Sequence, residues 1–267
     1  MTALASRRLP PARAASALSL LWLAVTFAIA VGPLVTLVAK ISPAALVTTF
    51  SQPSAATPLL VSLASAALSL LAVVVGGTAL AWRISRRGGT VSRVIELAVM
   101  AMLLMPPLVI GLLLIFMVGP LTPIGAVLGR VHLSATNTFF ALVVAEVYEA
   151  GPYYVLGAAA AFSSVDRALE EQATMLGDSA SRRFRRVVLP LAGKGIATSL
   201  AMAWARAVGA FGAVIIVAYH PYGLPLQIWV SLNESGLQSA LPYALALILV
   251  ALPVPLIMFG VSRRAGG

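Results

Sequence analysis

The chain has 267 residues, of which 60% are hydrophobic and 10% are charged, and its mean hydropathy is +1.00. A soluble domain of this length is not so apolar, so the composition indicates an integral membrane protein. Cysteine is absent, which excludes a disulfide framework, a thiolate metal site and a cysteine nucleophile.

Six apolar runs are long enough to cross the hydrocarbon core as helices, which takes about 20 residues each. The first run follows SRRLPPARAAS and is too long for a signal peptide, so we expect an uncleaved span. The sequence predicts an all-α membrane protein with a single transmembrane domain over residues 1–267. The six spans are predicted at roughly 17–39, 57–82, 95–119, 138–161, 196–219 and 241–262.

The net charge of +10 would suggest a nucleic-acid partner in a soluble chain. Here the predicted spans divide the basic residues between the two sides of the membrane. Lys40 and Arg130 lie on one side, Arg206 lies within a span, and all other basic residues lie on the opposite side. Lys and Arg collect on the cytoplasmic side of membrane proteins. The charge therefore predicts cytoplasmic N and C termini, contact with membrane lipid and no nucleic-acid partner.

The most polar part of the chain is the loop 162–195, FSSVDRALEEQATMLGDSASRRFRRVVLPLAGKG. Ser163 or Ser164 can cap a first helix with an acidic start. Gly177 can supply the left-handed conformation that ends it. Asp178 or Ser179 can then cap a second, arginine-rich helix, which we expect to stop at Pro190. An amphipathic helix lying on anionic lipid is the alternative, but the acidic cluster argues against it.

The order and spacing of eight residues in this loop resemble the E-A-A, G, F, I-x-L-P signature of binding-protein-dependent ABC import permeases. These residues are Glu171, Gln172, Ala173, Gly177, Phe184, Val187, Leu189 and Pro190. Gln172 departs from the signature, where the second residue is usually alanine. The resemblance implies a six-helix type I importer permease fold. It also implies that the loop, through Glu171, Ala173, Gly177, Phe184, Leu189 and Pro190, docks on an ATPase subunit.

The chain has no G-x-x-x-x-G-K-[ST] motif, and the nearest string, LAGKGIATS, lacks the spacing that cradles phosphates. We therefore expect no cofactor of its own and no catalytic residue, with ATP bound and hydrolysed by a separate subunit. An ATPase pair would present two docking grooves, so a second copy of this chain is the economical assembly.

The resemblance covers roughly residues 55–260 and is strongest to the molybdate, tungstate and sulfate branch. It is carried by MPPLVIGLLLIF, by ARAVGAFGAVIIVAYHPYGLPLQIW and by the pattern Ala218, Tyr219, Pro221 and Pro225. It implies import of a tetrahedral oxyanion, molybdate or tungstate, delivered by an extracytoplasmic binding protein. Sulfate is the alternative, because in this family the binding protein makes the selection.

One departure from that branch concerns the fifth span. The branch usually reads R-x-x-G-E-F-G, whereas this chain has Arg206, Gly209, Ala210 and Gly212, with alanine in place of the acid. We interpret Gly209 and Gly212 as positions of close helix packing near the pathway.

An arginine within a span costs about 2.5–3.5 kcal/mol on insertion scales and needs a partner or a wet cavity. Glu146 and Glu149 lie three residues apart on the fourth span. We expect one of them to pair with Arg206, and the alternative is that Arg206 contacts the passing anion.

Two function classes compete with a permease. A membrane enzyme would need more catalytic groups at membrane depth than this chain offers, and His132 and His220 lie in separate outer loops, so we expect no metal site. A proton-coupled secondary carrier could use Glu146 and Glu149. That alternative predicts transport that depends on the proton gradient instead of on ATP.

Overall fold

The structure is a computed structural model that describes residues 12–264, with side chains described except at 12–18, 53, 259 and 261–264. The predicted cytoplasmic arginines Arg7 and Arg8 and the last three residues lie outside the described part. The described chain consists of helices joined by turns and irregular loops and contains no strand. The helices are α1 (Ala12–Lys40), α2 (Pro43–Phe50), α3 (Ala56–Arg86), α4 (Thr90–Leu104), α5 (Pro107–Val118), α6 (Pro123–Arg130), α7 (Phe139–Ser163), α8 (Arg167–Met175), α9 (Ala180–Arg183), α10 (Leu189–Val208), α11 (Val214–Val217), α12 (Leu224–Ser235), α13 (Leu237–Ala251) and α14 (Pro253–Arg264).

Five helical segments of the described chain are long and apolar enough to cross a membrane. They are Ser19–Lys40, Ala56–Arg86, Phe139–Ser163, Ala180–Val208 and Leu237–Met258. The pair α4 and α5 becomes a sixth span if the two helices are counted together. The all-α prediction is confirmed, and each of the six predicted runs overlaps one of these helical segments.

The third predicted span is not one continuous helix. The chain bends by 119° between α4 and α5. Met105 and Pro106 are extended, with ψ of 135° at both residues. Pro106 and Pro107 both lack an N–H, and a proline disfavours helical geometry in the residue before it. The Pro-Pro pair therefore divides the run 95–119 into two helices.

The fifth span begins earlier and ends earlier than 196–219. Helical structure runs from Ala180 through a π-helical turn at Phe184–Val188 into α10, which ends at Val208. The expectation that Pro190 stops the second loop helix is wrong. Pro190 is the second residue of α10, and the wider π-helical turn directly before it makes room for the proline ring within the continuous helix.

The core lies where α7 packs between α3 and α10. Small residues let the helices approach closely: a Cβ on Gly157 would lie 2.3 Å from Ser199 Oγ, and one on Gly195 would lie 2.5 Å from Ala161 Cβ. In a membrane, such close backbone packing replaces the hydrophobic drive that holds soluble helices together. The polar groups described below are built on these three helices.

Candidate coupling elbow and intramembrane polar site

The loop 162–195 forms two helices that meet at a sharp turn, which we call the elbow (residues 166–183). Asp166 caps α8 by accepting the Ala168 N–H at 2.9 Å, so the expected cap at Ser163 or Ser164 is wrong. Gly177 has φ +86°, in the left-handed region that favours glycine, as expected from the sequence. Ser179 then caps α9.

A buried ion pair fastens the elbow to the end of α3. Arg86 Nη2 lies 2.5 Å from Glu170 Oε1, with side chains 10% and 14% exposed. The same guanidinium donates to the Val165 carbonyl at 3.3 Å and lies 5.4 Å from the centre of the Trp82 ring. Arg86 is thus held by three partners, and it holds α8 in turn.

A second anchor is aromatic. The Phe184 ring meets those of Trp82 and Phe162 edge to face, with centroids 5.2 and 5.8 Å apart. Edge-to-face pairs stabilise by roughly 0.5–1.5 kcal/mol beyond the area that they bury. Phe184 therefore connects the elbow to both α3 and α7.

The remaining predicted loop residues divide by exposure. Ala173 is buried, whereas Glu171, Gly177, Leu189 and Pro190 are exposed. Sequence reasoning missed the apolar tip of the elbow: Met175 and Leu176 are 86% and 87% exposed. Two large apolar side chains beside a left-handed glycine were the signal that could have identified this tip. It also missed Glu170 as the acid that makes the structural ion pair.

The two intramembrane glutamates have different partners. Glu149 is 3% exposed; its Oε2 lies 2.8 Å from Arg206 Nη2, and its Oε1 accepts the Ala213 N–H at 3.2 Å. Glu146 accepts a hydrogen bond from the Ser65 hydroxyl at 2.7 Å. Among the described residues, the second oxygen of Glu146 has no hydrogen-bond partner. Of the two candidate partners, it is Glu149 that pairs with Arg206.

Glu149 and Arg206 hold the segment that follows α10. Gly212 lies against the broken span, since a Cβ on it would stand 2.4 Å from Pro107 Cβ. Gly209 has a different environment: a Cβ on it would lie near the Ala205 carbonyl of its own preceding turn, at 3.1 Å, and near no other described helix. Gly212 is therefore a position of close packing, and Gly209 ends a helix.

Asn137 joins the loop before α7 to the segment after α11: its N–H donates to the Val217 carbonyl at 2.8 Å, and its Oδ1 accepts the Tyr219 N–H at 3.0 Å. The rings of Tyr219, His220 and Tyr222 cluster beside this link, with centroids 4.3–5.5 Å apart. In the described part of the chain, no group of three or more His, Cys, Asp or Glu side chains could hold a metal ion.

Comparison with known proteins adds to this geometry. Residues 69–266 match the family described as binding-protein-dependent transport system inner membrane component. The chain is 39% identical, over 87% of its length and 85% of the relative's, to a probable molybdenum ABC transporter permease protein of Haloferax volcanii. It is 31% identical to the molybdate/tungstate transport system permease protein of Pyrococcus furiosus, over 72% of each chain.

Solved structures share the fold. A chain of a bacterial alginate ABC transporter, crystallised with an alginate-bound periplasmic protein, superposes with a TM-score of 0.74 at 18% identity, covering 94% of this chain and 95% of that one. A chain of the MetNI methionine ABC transporter superposes with a TM-score of 0.62 at 16% identity, covering 79% and 95%. The expected importer permease fold is confirmed.

Proposed function

The chain belongs to the family of binding-protein-dependent transport system inner membrane components, and from this membership we propose that it is the permease subunit of an ATP-driven importer of molybdate or tungstate. It is a multi-pass protein of the inner membrane. The assignment of the substrate rests on the similarity to permeases named for molybdenum and for molybdate/tungstate. Sulfate is the alternative: a relative named as a probable sulfate transport system permease is 29% identical over 76% of this chain, against 39% over 87% for the relative named for molybdenum.

The elbow is the docking site for an ATPase subunit. Met175 and Leu176 are almost fully exposed, although the rest of the elbow is anchored by the Arg86–Glu170 pair and by Phe184. Exposed apolar side chains on a rigid support are typical of an interface centre. ATP is bound and hydrolysed by that partner, and we expect no cofactor and no catalytic residue in this chain.

Two copies of the chain pair around a two-fold axis. An ATPase pair offers two equivalent grooves, and each copy of the chain brings one elbow. The basic residues place the elbow in the cytoplasm. The Tyr219–Tyr222 loop then lies on the outer face, where it contacts the substrate-binding protein.

Arg206 serves the pathway indirectly. It is about one-third exposed, yet its guanidinium is engaged by Glu149, whose other oxygen holds the Ala213 N–H. The pair therefore fixes the 209–213 segment against α7. A free arginine would trap a dianionic substrate at membrane depth, whereas a paired arginine presents a weaker field to the passing ion.

Transport by a reconstituted complex tests this proposal. The chain, its ATPase and its binding protein are placed in proteoliposomes, and uptake of molybdate and tungstate is measured with sulfate as competitor. We expect uptake to require ATP and to survive collapse of the proton gradient. Uptake that needs the gradient but not ATP would instead identify a proton-coupled carrier.

The docking assignment is tested separately. Replacing both Met175 and Leu176 by aspartate should prevent the ATPase from copurifying and abolish uptake. Leu121, fully exposed in the turn between α5 and α6, gives the control, since Leu121→Asp adds a charge at an exposed leucine away from the elbow. An unchanged yield of the complex with the double variant would remove the elbow as the docking site.

A further inference from the structure

Arg183 lies inside the elbow and lacks an acidic partner. Its Nη1 donates to Thr174 Oγ1 at 2.6 Å, which turns the guanidinium inward between α8 and α9. Its Nε is buried and has no hydrogen-bond partner within the described chain, and no described carboxylate pairs with it. A partly buried cation with no acidic partner is a place where an anion from outside the chain can bind.

Two adjoining cavities open beside this arginine. One has a volume of about 560 Å³ and the other about 330 Å³, and Trp82, Glu170 and Arg183 line both. Arg87 lines the larger cavity and is exposed. Arg86 lines the smaller one, and its Nε is also buried without a partner among the described residues. Arg167 and Glu171, both exposed, also line the smaller cavity. In the larger cavity, where Glu170 is already paired with Arg86, the charges left over are those of Arg183 and Arg87.

The α3 side of the larger cavity is mostly apolar. Val75, Ala79 and Trp82 line it from one face of α3, at positions i, i+4 and i+7. They extend about 10 Å along the helix, which is about a third of the hydrocarbon core. Thr78 lines the same wall, but its hydroxyl is already bonded to the Val74 carbonyl and to the Tyr154 hydroxyl.

We propose that this cavity binds an anionic phospholipid, with the phosphate between Arg183 and Arg87 and an acyl chain along Val75, Ala79 and Trp82. A free oxyanion would share the headgroup chemistry. A free oxyanion would make no favourable contact with the apolar wall. Two arginines beside an apolar wall therefore favour a lipid, which has both an anionic headgroup and an acyl chain. The bound headgroup joins α9 to the end of α3 and so fastens the elbow. This inference does not depend on which ion is transported.

Tryptophan fluorescence tests the proposal, because Trp82 lines the cavity. The full-length chain keeps Trp82 as its single tryptophan, with Trp22, Trp204 and Trp229 changed to phenylalanine, and is placed in lipid nanodiscs. Brominated phosphatidylglycerol should quench Trp82 more strongly than brominated phosphatidylcholine does. The expected preference is about fivefold for each arginine that contacts the headgroup.

The preference should fall in Arg183→Gln and in Arg87→Gln and should remain in Arg183→Lys. Arg185→Gln is the matched control, because Arg185 is exposed on the same turn and does not line either cavity. If Arg183→Gln fails to assemble, Arg87→Gln decides alone, since Arg87 is exposed and makes no described ion pair. Equal quenching by the two lipids overturns the proposal. Saturable protection of the elbow from proteolysis by inorganic phosphate in phosphatidylcholine discs, without a lipid preference, overturns the lipid assignment in favour of a free anion.

Discussion

Removing the Glu149–Arg206 pair should destabilise the membrane domain in a coupled manner. Glu149→Ala strands the Arg206 guanidinium and frees the Ala213 N–H, whereas Arg206→Ala strands a carboxylate that is 3% exposed. Because each single change already removes the pair, the double variant should be less destabilised than the sum of the two single variants.

The distance sets the size of this coupling. At the 2.8 Å between the charged atoms, an effective dielectric constant of about 20 gives a gross attraction of about 6 kcal/mol. The cost of removing the carboxylate from water cancels most of this attraction. Because Arg206 is 32% exposed, water also screens part of the remaining attraction. We expect a net coupling of about 1–2 kcal/mol. Glu149→Ala loses about 1 kcal/mol more with the Ala213 hydrogen bond.

Unfolding by a denaturing detergent, followed in micelles by circular dichroism, measures the free energy for the four members of the cycle. Glu146 offers a matched control, since it lies three residues away on α7 but bonds to Ser65. Glu146→Ala and Arg206→Ala should therefore add. Additivity of the Glu149 cycle to within about 0.5 kcal/mol, or coupling that appears in the Glu146 cycle instead, would refute the pairing.

Three further changes test other parts of the structure. Gly177→Val should abolish ATP-driven uptake while the subunit still inserts, because φ +86° strains a β-branched residue by about 1–3 kcal/mol. Gly177→Asn should retain activity, because asparagine tolerates this conformation. Uptake assays measure the activity of both variants, and membrane fractionation measures their insertion. Gly212→Ala should lower uptake, because its Cβ would stand 2.4 Å from Pro107 Cβ, and a normal rate would show that the broken span yields easily. Ser65→Ala should cost about 1–3 kcal/mol in the same detergent assay by leaving Glu146 without that donor, and an unchanged midpoint would contradict it.

Much of the fold follows from patterns that are local in sequence. Apolar length located the spans, and glycine at 177 predicted the left-handed turn. Both depend on only a few neighbouring residues and on the solvent around them. The Pro106–Pro107 pair also predicts a weak point in the helix, but the pair alone does not set the angle of the bend. Whether the chain kinks slightly or turns through 119° depends on the residues that pack against the bend. Here Gly212 leaves room for the Pro107 ring.

The partners within the candidate site depend on neighbours that are distant in sequence. Glu146 and Glu149 are only three residues apart, which places them on one broad face of α7. The rotation between them nevertheless directs Glu146 to Ser65 of α3 and Glu149 to the 206–213 segment. No local pattern separates the two glutamates. Likewise, Glu170 and Glu171 are equivalent as acids, and only the position of Arg86 selects Glu170.

The correction at Pro190 changes how motion can travel from the elbow. If the helix stopped there, the elbow and the span would be separate bodies joined by a hinge. Instead one helical segment of 29 residues runs from Ala180 to Val208, a length of about 43 Å. Its beginning lies beside the docking tip, and Arg206 lies in its last turn. We therefore expect a displacement imposed on the elbow to reach the Glu149–Arg206 pair through this continuous helix, whose one irregular segment is the π-helical turn at 184–188. Stiffening that turn should alter coupling between ATP hydrolysis and uptake without altering ATPase binding.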